Sequence, residues 1–251
     1  MNDNLRNFSD LLIEAGEELS LPSRSYRQKG VDIRETKVDK VLSRQCGKKE
    51  GLYLTLTPNA HTLPSTLCDV LQNCIKKLIR ESGVNEGKIL VVGLGNENVV
   101  VDALGNEVVK KIRTGGKAFN VSAIAPKVAD ITGIKSFDIV KAIVDHHKPA
   151  LVLAIDTLAT GYLHRLGNCY QLTTAGICPG GGVNNPQTCL NRSTLSVPVV
   201  AIGVPLIISV ASITGDSNSE YSKYMLTPRD VDSLVRNCAE VIASAVNAVA
   251  L

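Results

Sequence analysis

Apolar runs of strand length alternate with stretches of helical spacing along this chain. Residues 89–92, ILVV, are a β-branched run that predicts a buried strand. Gly93, Gly95 and Asn96 break it, and residues 100–112 return to helical spacing. Residues 150–155 predict a second buried strand, with a short helix over 157–166. Upstream, LYLTL at 52–56 alternates and predicts a short strand ended by Thr57, Pro58 and Asn59. Over 65–82, Leu67, Val70, Leu71, Cys74, Ile75, Leu78 and Ile79 recur at spacings of three and four, and Gly83 is the expected stop. Ser136 is the expected cap of a helix reaching His147, with Pro149 beyond its end. Residues 170–173 and 198–203 read as strands, the latter ended by Pro205, and Thr227 with Pro228 opens a last helix to about Val249. Residues 21–50, rich in charge, read as a surface arm or a loosely packed entry segment. Residues 117–135 read as loop with short elements, and ICPGGGVNNP at 177–186 as loop. Strands alternating with helices predict an α/β sandwich with a largely parallel sheet.

Composition narrows the picture. A length of 251 residues suits one large domain, read as 1–251, and 44% hydrophobic residues can build its core. Aromatics are only 4% and Trp is absent, so aliphatic side chains must fill that core. A net charge of +3 is too mild to indicate nucleic-acid binding. Seven cysteines at irregular spacings, without a CxxC pair, favour reduced thiols over a disulfide framework. The first residues lack a signal-peptide core, and no run reaches the roughly 18 apolar residues of a membrane span. The expectation is a soluble, cytoplasmic protein.

The candidate chemistry centres on Asp102 and Asp156, each placed just past an apolar strand, where ligands collect in open α/β sheets. Two acids in one crevice share a proton, so one activates water while the other polarises a carbonyl. The competing reading is that both cap helices. GLGN at 93–96 lacks the third glycine of a dinucleotide fingerprint, since Asn98 stands there. His146 and His147 sit at a helix end, where they suit the dipole better than a metal. Cys169, Cys178 and Cys189 flank the glycine loop. No metal or cofactor is expected.

Longer segments carry a resemblance. GVDIRETKVD at 30–39, GKKEGLYLTL at 47–56, VVGLGNENVVVDALG at 91–105, KPALVLAIDTLA at 148–159, TAGICPGGGVNN at 174–185, TLSVPVVAIGVP at 194–205 and LTPRDVDSLV at 226–235 occur in order. Together they resemble the germination proteases of spore-forming bacteria, atypical aspartic-type endopeptidases. The resemblance implies a three-layer sandwich with a mostly parallel central sheet, similar to hydrogenase-maturation proteases, assembled as a tetramer in the spore core. It implies degradation of small acid-soluble spore proteins during germination, with Asp102 and Asp156 as the catalytic acids. The expected cleft lining is Gly93, Gly95 and Asn96 with Gly180, Gly181 and Gly182. It also implies a self-processing zymogen, residues 1–10 being the propeptide and the cut falling between Asp10 and Leu11. Three places depart from the family pattern: Val100 and Val101 replace Thr-Pro, and Thr174 and Ser209 stand where acids are usual. A non-catalytic spore protein on the same scaffold and a metal-dependent peptidase or maturation factor remain the alternatives.

Overall fold

The computed structural model describes residues 9–179, 188–216 and 220–250. In chain order, the first elements are α1 (Leu12–Glu18), β1 (Arg24–Gln28), β2 (Val31–Val38), α2 (Lys40–Cys46), β3 (Gly51–Pro58), α3 (Pro64–Glu81), β4 (Lys88–Gly93), α4 (Leu104–Val109) and β5 (Asn120–Ile124). There follow α5 (Ala129–Thr132), α6 (Ser136–His147), β6 (Leu151–Thr160), β7 (Tyr170–Thr173), α7 (Arg192–Leu195), β8 (Val199–Ser209), α8 (Val210–Thr214), β9 (Met225–Leu226) and α9 (Val231–Ala250). The strands form one nine-stranded sheet in the order β1-β2-β3-β7-β8-β6-β4-β5, with β9 on β8.

That sheet is mixed. Strands β8, β6, β4 and β5 run parallel, while β1, β2, β3 and β7 add antiparallel. Helices α3, α4 and α9 cover one face. Their contact is a large aliphatic cluster including Leu71, Ile75, Leu104, Ile155, Ile202 and Ile242. On the other face α6 and the segment through α7 pack Val140, Val144, Leu190 and Leu195 against Leu90, Val92, Val152 and Ala154. Each fully buried aliphatic side chain contributes roughly 1.5–3 kcal/mol, so these two clusters are what hold the three layers together.

The helix over 65–82 is present as α3, and all seven of its expected apolar positions are buried. Gly83 follows it at φ +80°, where a left-handed turn ends the helix. Elsewhere long-range pairing overrides local pattern. The expected surface arm over 21–50 is instead a β1–β2 hairpin, turned at Lys29 and Gly30 with positive φ at both, followed by α2. The alternation of VDIRETKV was its signal. The helix expected over 157–166 is reduced to a 3-10 turn at Leu163–Arg165; β6 continues to Thr160 because residues 156–160 pair with β8. Strand β8 likewise runs through Pro205 to Ser209. The ladder shifts register between Leu158 and Ala159, opposite Pro205, and a bulge tolerates a residue without an N–H.

Helix ends also differ. Lys135, not Ser136, occupies the cap position of α6, and the Ser136 hydroxyl donates to the Lys127 carbonyl at 2.6 Å. The last helix begins at Val231, three residues beyond Pro228. Within 117–135, residues 120–124 form the edge strand β5 beside β4. Cys178 and Cys189 form a disulfide, against the expectation of reduced thiols throughout. The backbone brings them together: Ile177 and Leu190, their neighbours, exchange hydrogen bonds of 2.9 and 2.8 Å.

Candidate active site

Alternation along the strands decides which residues reach the cleft. On β6, Leu151, Leu153 and Ile155 face the α3–α9 layer, so Asp156 points to the opposite face. Its register partner on β8 is Gly203, whose partner on β7 is Gln171. Asp156, Gly203 and Gln171 therefore form one row across the floor of a cavity of about 870 Å³. Its rim includes Asp10, Lys48, Tyr53, Thr157 and Cys178.

Asp102 reaches Asp156 through the backbone. After β4 the chain turns at Gly95, with φ +99°, and comes back through the tight turn Val100–Asp102 into α4. The helical spacing read over 100–112 is thus split, with Asp102 on the turn. Gly93, Gly95 and Gly105 let these segments touch. A Cβ on Gly95 would lie 1.9 Å from the Asp102 carbonyl oxygen, and one on Gly105 would lie 2.4 Å from the Leu94 nitrogen. The turn is tied to β6 by Leu94 N–H on the Ile155 carbonyl at 2.8 Å and by the Thr157 hydroxyl on the Val101 carbonyl at 2.7 Å. These two bonds flank Asp156 in sequence and bring the two acids to one place.

Their surroundings differ. Asp156 is 6% exposed, and its carboxyl accepts the Thr157 N–H at 2.9 Å. Burial pushes its pKa well above the ordinary carboxylate range, with the charges of Asp102 and Asp10 adding to the effect. Asp102 is half-buried, and burial raises its pKa too. The Asn96 N–H, donating to its carboxylate at 2.7 Å, offsets part of that rise. Asn96 and Gly95 therefore act on Asp102, the Asn106 side chain holding the Gly95 carbonyl at 3.1 Å.

The remaining expected residues fall as follows. Gly93 ends β4 against Gly105. Gly180, Gly181 and Gly182 lie outside the described residues, as do residues 1–8 of the expected propeptide. Asp10 and Leu11 lie in the cleft itself, and Leu11 is fully buried with Leu158 and Cys169. His146 and His147 are exposed at the end of α6. Among the described residues no three His, Cys, Asp or Glu side chains group as a metal site. Neither residue at the other two departures is charged, and each does structural work. The Thr174 hydroxyl accepts the Leu52 N–H at 3.0 Å, and buried Ser209 caps α8 through the Ala211 N–H at 3.1 Å.

Several residues of the cleft were not singled out from sequence. Glu14, 4% exposed, accepts from the Thr160 hydroxyl and from the Gly161 N–H at 2.8 Å, and faces Arg165 at 3.5 Å. Arg165 also binds Glu17 at 2.5 Å, and together these pairs fasten α1 to the end of β6. Lys48 and Gln171 grip the chain just before α1. Lys48 stood in a run of charges with nothing to distinguish it. Gln171 gave no signal either, since YQLT alternates like a half-exposed strand, yet every one of its positions is buried.

A profile of the germination protease family matches residues 14–224. The germination protease of Bacillus mycoides is 37% identical over 215 residues, covering 77% of this chain and 58% of that protein. The germination protease of Caldanaerobacter subterraneus subsp. tengcongensis is 33% identical, covering 95% of this chain and 92% of that protein. The chain thus spans about 58% of the length of the Bacillus relative and nearly all of the other. A crystal structure of a [NiFe] hydrogenase maturation protease from Thermococcus kodakarensis superposes at a TM-score of 0.37 with 16% identity, over 63% of this chain and 91% of that one.

Proposed function

Because the chain belongs to the germination protease family, we propose that it is an endopeptidase of aspartic type that degrades small acid-soluble spore proteins, with Asp102 and Asp156 as its acid–base pair. The observation that carries this reading is the pair itself. Asp156 lies on the floor of the cavity, and Asp102, on the turn tied to β6 beside it, is near enough for its charge to raise the Asp156 pKa.

The environments divide the roles. Asp156, deeply buried, keeps the shared proton, while Asp102, supported by the Asn96 N–H, carries the negative charge. Asp102 takes a proton from a water molecule as that water attacks the scissile carbonyl carbon. Asp156 donates its proton to the carbonyl oxygen, giving a neutral tetrahedral intermediate. Collapse of that intermediate breaks the C–N bond, the amine leaving with a proton from Asp102 and Asp156 regaining its own. Water is the only co-reactant. Zymogen processing between Asp10 and Leu11, action in the spore cytoplasm and a tetrameric assembly belong to the same proposal.

The test is incubation of the purified chain with a small acid-soluble spore protein, with fragments read by mass spectrometry. The expected result is discrete internal fragments from the wild type and none from Asp156→Asn or Asp102→Asn, whose circular dichroism matches the wild type. Undiminished cleavage by Asp156→Asn removes that residue from the mechanism. Absence of fragments from the wild type favours a binding protein on the same scaffold.

A further inference from the structure

One wall of the cleft is a strap of chain outside the strands. After β7 ends at Thr173, residues 175–178 leave the ladder and line the cavity. Upstream the strap is moored to the sheet: the Thr174 N–H donates to the Leu52 carbonyl and the Ala175 N–H to the Thr173 hydroxyl, each at 3.0 Å. Downstream it meets residues 189–191. Ile177 and Leu190 exchange hydrogen bonds, and Gly176, at φ +80°, passes so near that a Cβ would lie 2.1 Å from the Leu190 carbonyl oxygen. The Cys178–Cys189 disulfide is the next link. Its two ends are unlike. The Cys189 carbonyl accepts the Thr194 hydroxyl at 2.7 Å, the neighbouring Leu190 is 1% exposed, and Asn191 caps α7. Cys178 belongs to the cavity wall. Ile177 beside it packs against Leu11, Leu158 and Cys169 on one side and against the cluster of Leu190 and Leu195 on the other. The disulfide thus joins a wall of the cleft to an anchored part of the fold.

We propose that the Cys178–Cys189 disulfide is a redox-controlled clasp: closed, it holds the 175–178 wall in the shape that receives peptide; reduced, it frees the wall and weakens peptide binding. Its purpose rests on the endopeptidase reading and its geometry on the contacts above. A dithiol reductant supplies the two electrons and two protons. One of its thiolates attacks a sulfur of the pair, and the other cysteine leaves as a thiolate and takes up a proton. The reductant's second sulfur then attacks the mixed disulfide, releasing the remaining cysteine and closing the reductant's own disulfide. A small disulfide oxidant runs the same steps backwards. Cys178 and Cys189 are both partly exposed, so such reagents reach them. Cys74, Cys169 and Cys238 are buried, and burial raises all three thiol pKa values, Cys74 and Cys169 to about 12, which keeps them out of the exchange. In a reducing interior a disulfide serves sensing or catalysis rather than as a permanent staple. Once the bond is reduced, ordering the wall falls to the bound peptide, and affinity drops. Asp102 and Asp156 are set by the β4 turn and β6 through bonds that bypass the strap, so turnover at saturation is untouched.

Two measurements on the full chain, oxidised or reduced with dithiothreitol, test this. The first is amide hydrogen exchange. The Ile177 and Leu190 amides are expected to exchange about ten- to hundredfold faster after reduction, while those of α2, a surface helix with no buried residue, stay unchanged. Equal exchange in the two states, or an acceleration shared by α2, overturns the clasp. The second is the steady-state kinetics of cleavage of a small acid-soluble spore protein. Reduction is expected to raise KM about five- to tenfold at constant kcat, and oxidised dithiothreitol to reverse it. The double variant Cys178→Ser, Cys189→Ser is expected to show the higher KM under both conditions. Cys46→Ser, which removes a half-buried thiol at the same cavity, is expected to keep the wild-type response. One KM in both states, a loss confined to kcat, or a redox response that survives in the double variant overturns the proposal. A wild type that cuts nothing in either state removes the endopeptidase reading, while the exchange measurement still decides whether the bond moors the wall.

Discussion

Gly95 offers the sharpest test of how the site is held. Alanine there adds one methyl group, whose carbon would lie 1.9 Å from the Asp102 carbonyl oxygen and 3.0 Å from its carboxylate oxygen Oδ1. The backbone at this point has φ +99°, a region side chains rarely occupy. Backbone strain of this kind costs about 1–2 kcal/mol. Relieving the clash moves the carbonyl by on the order of 1 Å, and overpacking of that size costs about 1–3 kcal/mol. The sum, about 2–5 kcal/mol, lowers the melting temperature of a chain this size by roughly 4–20 °C, short of unfolding it at room temperature. A displacement on the order of 1 Å in Asp102 lowers the cleavage rate about a hundredfold. The assay is thermal unfolding beside peptide cleavage, measured well below the transition. Gly215→Ala is the control, since it has φ +71° and nothing within 4 Å of the added carbon. It shares the strain and lacks the clash, so it is expected to lose about 1–2 kcal/mol and keep full activity. A Gly95→Ala variant with wild-type stability and rate would show that the glycine turn does not place Asp102.

Asp156→Asn is expected to gain stability as it loses activity. Burial raises the Asp156 pKa when folded, so the folded protein is penalised once pH climbs above the unfolded value near 4. The variant should therefore melt higher than the wild type at pH 7, the margin closing below about pH 4; an equal margin at both pH values would refute the cause. Thiol titration in denaturant is expected to count five free thiols before reduction and seven after. Reduction should lower stability by about 3 kcal/mol for a loop of this length, read from the denaturant midpoint, and seven thiols without reductant would refute the Cys178–Cys189 pairing.

What could be read from sequence followed the range of the interaction. Helix α3 was legible because its stripe is local, seven apolar residues set by one helical period. The cores of β4 and β6 were legible as apolar runs. The continuation of β6 beyond Asp156 was not, since it depends on pairing with β8, more than forty residues away. Pro205 misled for the same reason, because only the partner strand reveals the bulge that accommodates it. Asp102 and Asp156 stood out as acids next to buried runs. Lys48, Gln171 and Glu14 did not, because their importance comes from what the fold sets beside them, the burial of Gln171 included. Ser209 is the reverse case: its departure from the family pattern was visible, whereas its work as a helix cap was not.

The interlocked glycines at 93, 95 and 105 constrain how this site can change. The nearest atoms there are main chain on main chain, which cannot be trimmed or enlarged by degrees as a side chain can. Adaptation to new substrates must then fall on the walls, in α1, α2 and the residues around Lys48, while the spacing of the two acids is inherited as a fixed gauge.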